Sequence, residues 1–204
     1  MALLSWIQQY MDLLNLVLNA LMLLVWVVYL HLILMGFLRQ RQCILHLDLG
    51  AATDENARCI VTNMGSEPVY LAAVVIDLSF ENRQERYVIT DRSEMPLDQA
   101  DRPLERTIKG PLAGGEALDL GSFRDLVGRS VATKAIDETM EALTAVTVTA
   151  VAVSNHAQSL TGGYKRFDVY WDGHIRMFRP NSVITSQVRG IWRRRDLAGA
   201  IAGY

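Results

Sequence analysis

Cysteine is scarce in this chain, with two in 204 residues, and so is proline, with five. Cys43 and Cys59 show no framework spacing and cannot staple a disulfide-built fold. So few prolines exclude collagenous and proline-rich low-complexity architectures. A surplus of charge is missing as well: 20 Lys+Arg stand against 22 Asp+Glu, a net of -2, whereas a dedicated nucleic-acid binder carries a clear basic excess. Phosphate-cradling and hydrolytic signatures are absent too. Gly114-Gly115 and Gly162-Gly163 are followed by no Lys-Ser/Thr pair, and neither G-x-S-x-G nor H-E-x-x-H occurs. There is no internal repeat.

What is there is unevenly distributed. Half of the residues are hydrophobic, too many for a disordered chain. Residues 1–42 carry a net +1, residues 43–164 hold 10 basic and 18 acidic side chains for a net -8, and residues 165–204 hold 8 basic and 3 acidic for a net +5. A near-neutral total therefore hides a greasy head, an acidic body and a basic tail.

From Leu13 to Leu38 no residue is charged. About 20 helical residues cross a bilayer's hydrocarbon core, so this run predicts a transmembrane helix over 13–38, preceded by an amphipathic lead-in over 1–12. A cleavable signal peptide fits less well, because no Lys or Arg precedes the run, the apolar stretch is too long, and no small-x-small site follows it. Arg39 and Arg41 come directly after the span. Positive-inside reasoning then places the N-terminus outside and the following domain in the cytoplasm, where both cysteines stay reduced.

Alternating steps of three and four residues trace one face of the helix: Ser5, Gln8, Asp12, Asn15, Asn19, Met22, Trp26, Tyr29, Ile33 and Gly36. That seam collects most of the polar residues in the segment, while the other faces are mostly Leu, Val and Ile and suit lipid. Polar amides in hydrocarbon need partners, so Asn15, Asn19, Met22, Trp26, Tyr29 and Gly36 are expected to contact other transmembrane helices, from a second copy or a larger assembly.

After the membrane segment the periodicity changes to strand alternation. Strands are expected over residues 43–49, 58–64, 68–80, 85–90, 117–120, 144–154, 164–171 and 174–179, with a hairpin turn at Asp172-Gly173, a loop over residues 91–115 and another loop ending in Gly162-Gly163. Ser122 followed by Asp125 marks a short helix start. The fold class is therefore mainly β: the N-terminal helix, then an antiparallel β-sandwich over 43–180, with an immunoglobulin-like topology as the first expectation. A basic tail over 181–204 is expected to form a short helix capped by Asn181 or Ser182, with Ile184, Val188 and Ile191 as its apolar stripe. Arg193, Arg194 and Arg195 beside it either pair with the acidic body or, with Arg39 and Arg41, meet an anionic membrane surface.

Chemistry is sparsely supported. Cys43 and His46 lie three apart, on opposite faces of a strand, with no second pair to complete a zinc site. His46 and Asp48 share a strand face, without a nucleophile nearby in sequence. The acids among residues 91–105 are interleaved with arginines and lack a calcium-loop pattern. Asn155, His156 and Gln158, in the loop between the two best strands, are the expected partner-binding loop. No catalytic set, metal or cofactor is expected. The sequence predicts a non-enzymatic, single-pass anchored module whose partners are membrane lipid, other transmembrane helices and a cytoplasmic protein, with no nucleic acid. The competing readings are an oligomeric pore lined by the polar seam, a periplasmic envelope-assembly module, and a tethered enzyme using His46, Asp48 or His156.

Overall fold

The computed structural model describes residues 2–40, 43–50, 52–91, 107–130, 140–154, 160–173 and 175–203. The chain divides into two units, Met1–Arg41 and Gln42–Tyr204.

The first unit is a single helix, α1 (Ala2–Gln40), which runs through both the lead-in and the predicted span. Its Leu, Met and Ala content favours helix, and a helix meets all interior backbone hydrogen bonds within the segment. The stretch Tyr10–Leu38 covers 29 residues with a mean hydropathy of 2.5, and every side chain in it is exposed. At about 1.5 Å per residue it measures roughly 43 Å, more than the ~30 Å of a hydrocarbon core. The molecule thus has an N-terminal helix long and apolar enough to span a membrane.

The second unit is mostly β. Its strands are β1 (Leu45–Gly50), β2 (Arg58–Asn63), β3 (Val69–Ser79), β4 (Gln84–Ile89), β5 (Gly110–Leu112), β6 (Ala117–Ser122), β7 (Ala145–Ser154), β8 (Leu160–Asp172), β9 (Ile175–Pro180) and β10 (Ser186–Gln187). Two short helices accompany them, α2 (Phe123–Ser130) and α3 (Ile191–Ala202). One antiparallel sheet has the order β1-β2-β6; the other runs β10-β8-β7-β3-β4, with β5 added to β3 and β9 to β8.

Alternation explains the burial. In β2 the pattern places Cys59, Val61 and Asn63 inward, and β1 buries Leu45 and Leu47. β3 and β7, central in the larger sheet, are covered on both faces and read as nearly continuous Val, Ile and Ala. The main core draws on both sheets: Leu45, Leu47, Cys59 and Val61 meet Leu71, Ile76, Val146, Val148 and Phe167. At its centre Phe123, the first residue of α2, stacks on Phe178 at 4.4 Å between ring centroids and meets Phe167 edge-on at 5.0 Å. The start of α2 is fixed as expected: the Ser122 hydroxyl accepts from the Asp125 amide at 3.1 Å, and the Asp125 carboxylate accepts from the Ser122 amide at 3.2 Å.

Four expectations need correction. Gly162 and Gly163 are not in a loop but inside β8, opposite Val151 and Ala150. A Cβ on Gly163 would lie 2.7 Å from the Leu45 carbonyl oxygen, and one on Gly162 would lie 2.6 Å from that of Ala150. Gly163 permits a close approach of β8 to β1, and Gly162 one of β8 to its neighbour β7. The 91–115 segment is not loop throughout, because Gly110–Leu112 pairs with β3 despite Pro111. Finally, the C-terminal helix begins at Ile191, capped by Gly190 without a side-chain hydrogen bond, and not at Asn181 or Ser182. Residues 181–190 are not helical: bends at 181, 183 and 184 lead into β10, which pairs with β8, and the Val188 amide donates to the Gly162 carbonyl at 2.7 Å. Of the predicted stripe only Val188 is buried; Ile184 and Ile191 are exposed. The Asp172 hairpin is present one residue out of the expected register, with Asp172 paired to Ile175 and Gly173 at φ +61.

Candidate functional sites at the ends of the domain and along the helix

The polar seam of α1 is a real face of the helix. Successive steps of three and four keep Asn15, Asn19, Met22, Trp26, Tyr29 and Gly36 within an arc of about 100°. The Trp26 and Tyr29 rings meet edge-on at 6.2 Å, as neighbours one turn apart on that arc should. A Cβ on Gly36 would meet nothing within 4 Å, so this position leaves room for a close neighbour. The side chains of Ser5, Gln8 and Arg39 lie outside the described portion, as does Arg41, and so do Asn155, His156 and Gln158 of the predicted partner-binding loop.

His46 and Asp48 do come together on β1, with Nε2 and Oδ2 3.9 Å apart, but the structure gives them structural company. The Lys165 ammonium, its side chain 1 % exposed, donates to the Leu47 carbonyl at 2.9 Å, to Asp48 at 3.2 Å and to the Val183 carbonyl at 3.2 Å. Its three donors thus meet three acceptors, which is what burial of an ammonium requires. His46 Nδ1 lies 3.2 Å from the Thr185 hydroxyl. An ammonium, an imidazole, a carboxylate and a hydroxyl so arranged tie the segment leading into β10 to β1.

Thr185 and Gln187 extend this tie. The Thr185 hydroxyl accepts from the Leu47 amide at 2.8 Å; the Gln187 amide group accepts from Leu45 N–H at 3.2 Å and donates to the Leu45 carbonyl at 2.7 Å. Side chains therefore complete the open edge of β1 where a backbone strand would normally pair. Nothing in the sequence pattern marked Lys165, Thr185 or Gln187, because the tie spans 118 to 142 residues of chain.

Asn63, fully buried, performs the same service at one end of the domain. Its amide donates to the Glu67 and Leu112 carbonyls and its oxygen accepts from the Gly65 amide. At the other end of the sheets lies a cleft of about 650 Å³, lined by Phe80, Arg83, Leu143, Thr144, Val169 and Trp171 among others. Arg83 sits over the Phe80 ring at 4.5 Å, and Trp171 is 55 % exposed. Close by, the Arg176 guanidinium covers Trp171 at 4.9 Å while pairing with Glu55 at 3.2 Å.

The tail arginines divide. Arg193 lies over the Tyr164 ring at 3.7 Å, and Arg194 Nε donates to the Val188 carbonyl at 3.4 Å; Arg195 is exposed. Leu197 buries itself with Ala200 and Ile201 on an outer patch formed by Ala73, Val75, Val88 and Val151. Arg86 clamps this helix to the sheet, bonding Asp77 and Asp196 at 2.6 Å each, and the two carboxylates raise its pKa. Among the described residues no cluster of three or more His, Cys, Asp or Glu side chains is placed to hold a metal ion.

Burial raises both thiol pKa values, that of Cys59 to about 12, with the Thr161 hydrogen bond partly opposing the shift at Cys43. Neither thiol is poised as a nucleophile. Comparisons with protein-family models, with curated proteins and with solved structures find no match for this chain.

Proposed function

We propose that this protein is a non-enzymatic, single-pass membrane module that serves as an accessory or scaffold subunit of a membrane assembly, its helix contacting other helices and its β domain engaging a protein partner. The observation that carries the reading is the fully exposed apolar helix with two amides on one face. Such a face stays solvated by lipid at a cost until another helix supplies hydrogen-bond partners. Bulky Trp26 and Tyr29 on the same arc favour packing against a helix over lining a water-filled pore.

An immunoglobulin-like arrangement of the domain is supported by the strand order. The chain makes β1 and β2 in one sheet, crosses to β3 and β4, returns so that β6 pairs with β2, and crosses again so that β7 pairs with β3 and β8 with β7. We read this alternation between sheets as a Greek key of the immunoglobulin type. Loops at the ends of such sandwiches commonly bind partners, and the Phe80–Trp171 cleft lies at one of those ends.

The experiment on the helix replaces Asn15 and Asn19 with Leu together and measures cross-linked oligomer or co-purified membrane partners in mild detergent. Contacts of this kind contribute about 0.6–2 kcal/mol each, so association falls roughly 3- to 30-fold per asparagine. Unchanged assembly refutes the role given to the seam. Orientation with the domain in the cytoplasm rests on Arg39 and Arg41. It is tested with Lys109→Cys, an exposed position, and an impermeant thiol reagent on intact cells: labelling before lysis places the domain outside.

A further inference from the structure

The first turn of α3 breaks local folding rules. It has no side-chain cap and no acidic residue, and Arg193, Arg194 and Arg195 stand where the helix dipole is positive. Its first two residues, Ile191 and Trp192, are 69 % and 82 % exposed, although Leu197 in the next turn is buried. Arg189, two residues before Ile191, is exposed, as is Arg195. Exposed apolar and aromatic side chains flanked by arginines that no described carboxylate neutralises have the composition of an interfacial membrane contact. Violations of local consistency mark places where function, not folding, set the residues.

Chain connectivity says which surface is within reach. Leu45 follows the end of α1 by five residues and is hydrogen-bonded to Gln187 in both directions; Ile191 follows Gln187 by four. Within the β domain the patch is thus linked to Leu45, which lies five residues along the chain from the end of α1, at most about 18 Å of extended backbone.

We propose that Ile191, Trp192, Arg189 and Arg195 form a second, peripheral membrane contact that docks the domain on an anionic bilayer surface. The proposal rests on the reading of α1 as a membrane span. Trp192 and Ile191 enter the headgroup layer while the arginines meet lipid phosphates. The contact restrains the domain against the bilayer and leaves the Phe80–Trp171 cleft, at the other end of the sheets, open to the aqueous phase.

The test uses the full chain with Cys43→Ser, reconstituted in vesicles of phosphatidylcholine alone or with 30 mol % phosphatidylglycerol. A nitroxide on Ala198→Cys, exposed and seven residues after Ile191 on the same helix face, reports depth through its accessibility to oxygen and to a water-soluble nickel complex. A second label at Val25→Cys reports the span. The expected result is shielding of position 198 from nickel in the anionic vesicles only, reversed by Ile191→Ser with Trp192→Ser. The docked-to-free ratio should fall about fivefold for each of Arg189→Gln and Arg195→Gln at low salt. Position 198 open to nickel in both lipids, with position 25 shielded, overturns the proposal and leaves the span intact. Position 25 open to nickel overturns the span itself. Shielding at 198 that ignores lipid charge and salt also overturns the proposal, because a protein partner then covers the patch.

Discussion

Replacing Thr185 with Val isolates the side-chain closure of the β1 edge. The substitution keeps the shape of the side chain, including the methyl against Gly163, and deletes only the hydroxyl. In the native domain that hydroxyl, 3 % exposed, accepts from the Leu47 amide at 2.8 Å, while its own proton has the Leu47 carbonyl and His46 Nδ1 at 3.2 Å to choose from. Leu47 is itself fully buried, so its amide is left without an acceptor and without water. An orphaned buried donor costs about 1–3 kcal/mol, which for a domain of this size lowers Tm by roughly 3–10 °C. The assay is denaturant and thermal unfolding of the full chain in detergent, combined with hydrogen exchange at the Leu47 amide. Ser186→Ala, at the exposed neighbouring position, is the control and should stay within about 0.5 kcal/mol. If Thr185→Val costs less than the control limit and Leu47 remains protected, that amide has another partner and the side-chain closure is not what holds the β1 edge.

Other outcomes are equally concrete. Cys59, fully buried with its pKa pushed up to about 12, should resist maleimide at pH 8 in the native protein and react only after unfolding; free-thiol rates in native buffer would contradict its burial. Because the folded thiol ionises later than the unfolded one, with a reference value of 9.0, its contribution is complete below pH 9 and is lost as pH rises toward 12. An alkaline unfolding series, compared with Cys59→Ala, measures that slope. Phe123→Ala removes the ring between Phe167 and Phe178 and should cost about 3–5 kcal/mol in the same unfolding assay; a loss under 1 kcal/mol would show that the three rings do not form the centre of the core. The Asn15→Leu and Asn19→Leu pair should weaken assembly while leaving the unfolding of the β domain unchanged, because the two units are separate along the chain.

The apolar helix, most strands and the α2 cap were legible in the sequence, because each depends on residues within a few positions of one another. A run without charge, alternation in Thr144–Ser154 and Ser122 with Asp125 are all local signals. The tail departs from its local pattern for the same reason. Ile184, Val188 and Ile191 have helical spacing, yet Val188 is claimed by the Gly162 carbonyl and Thr185 and Gln187 by β1, contacts that no local window contains. The glycine pair at 162 and 163 likewise resembles loop composition until β7 is brought against Gly162 and β1 against Gly163.

The sequence by itself determined that a membrane-length helix precedes an antiparallel β domain and that charge is split between an acidic body and a basic tail. Only the tertiary structure decided which arginines are engaged and which are presented to solvent, how the edge of β1 is closed, and where the cleft opens. Periodicity reports which face of an element is apolar; it carries no information on which distant strand will supply the partner for a particular amide, carbonyl or ammonium.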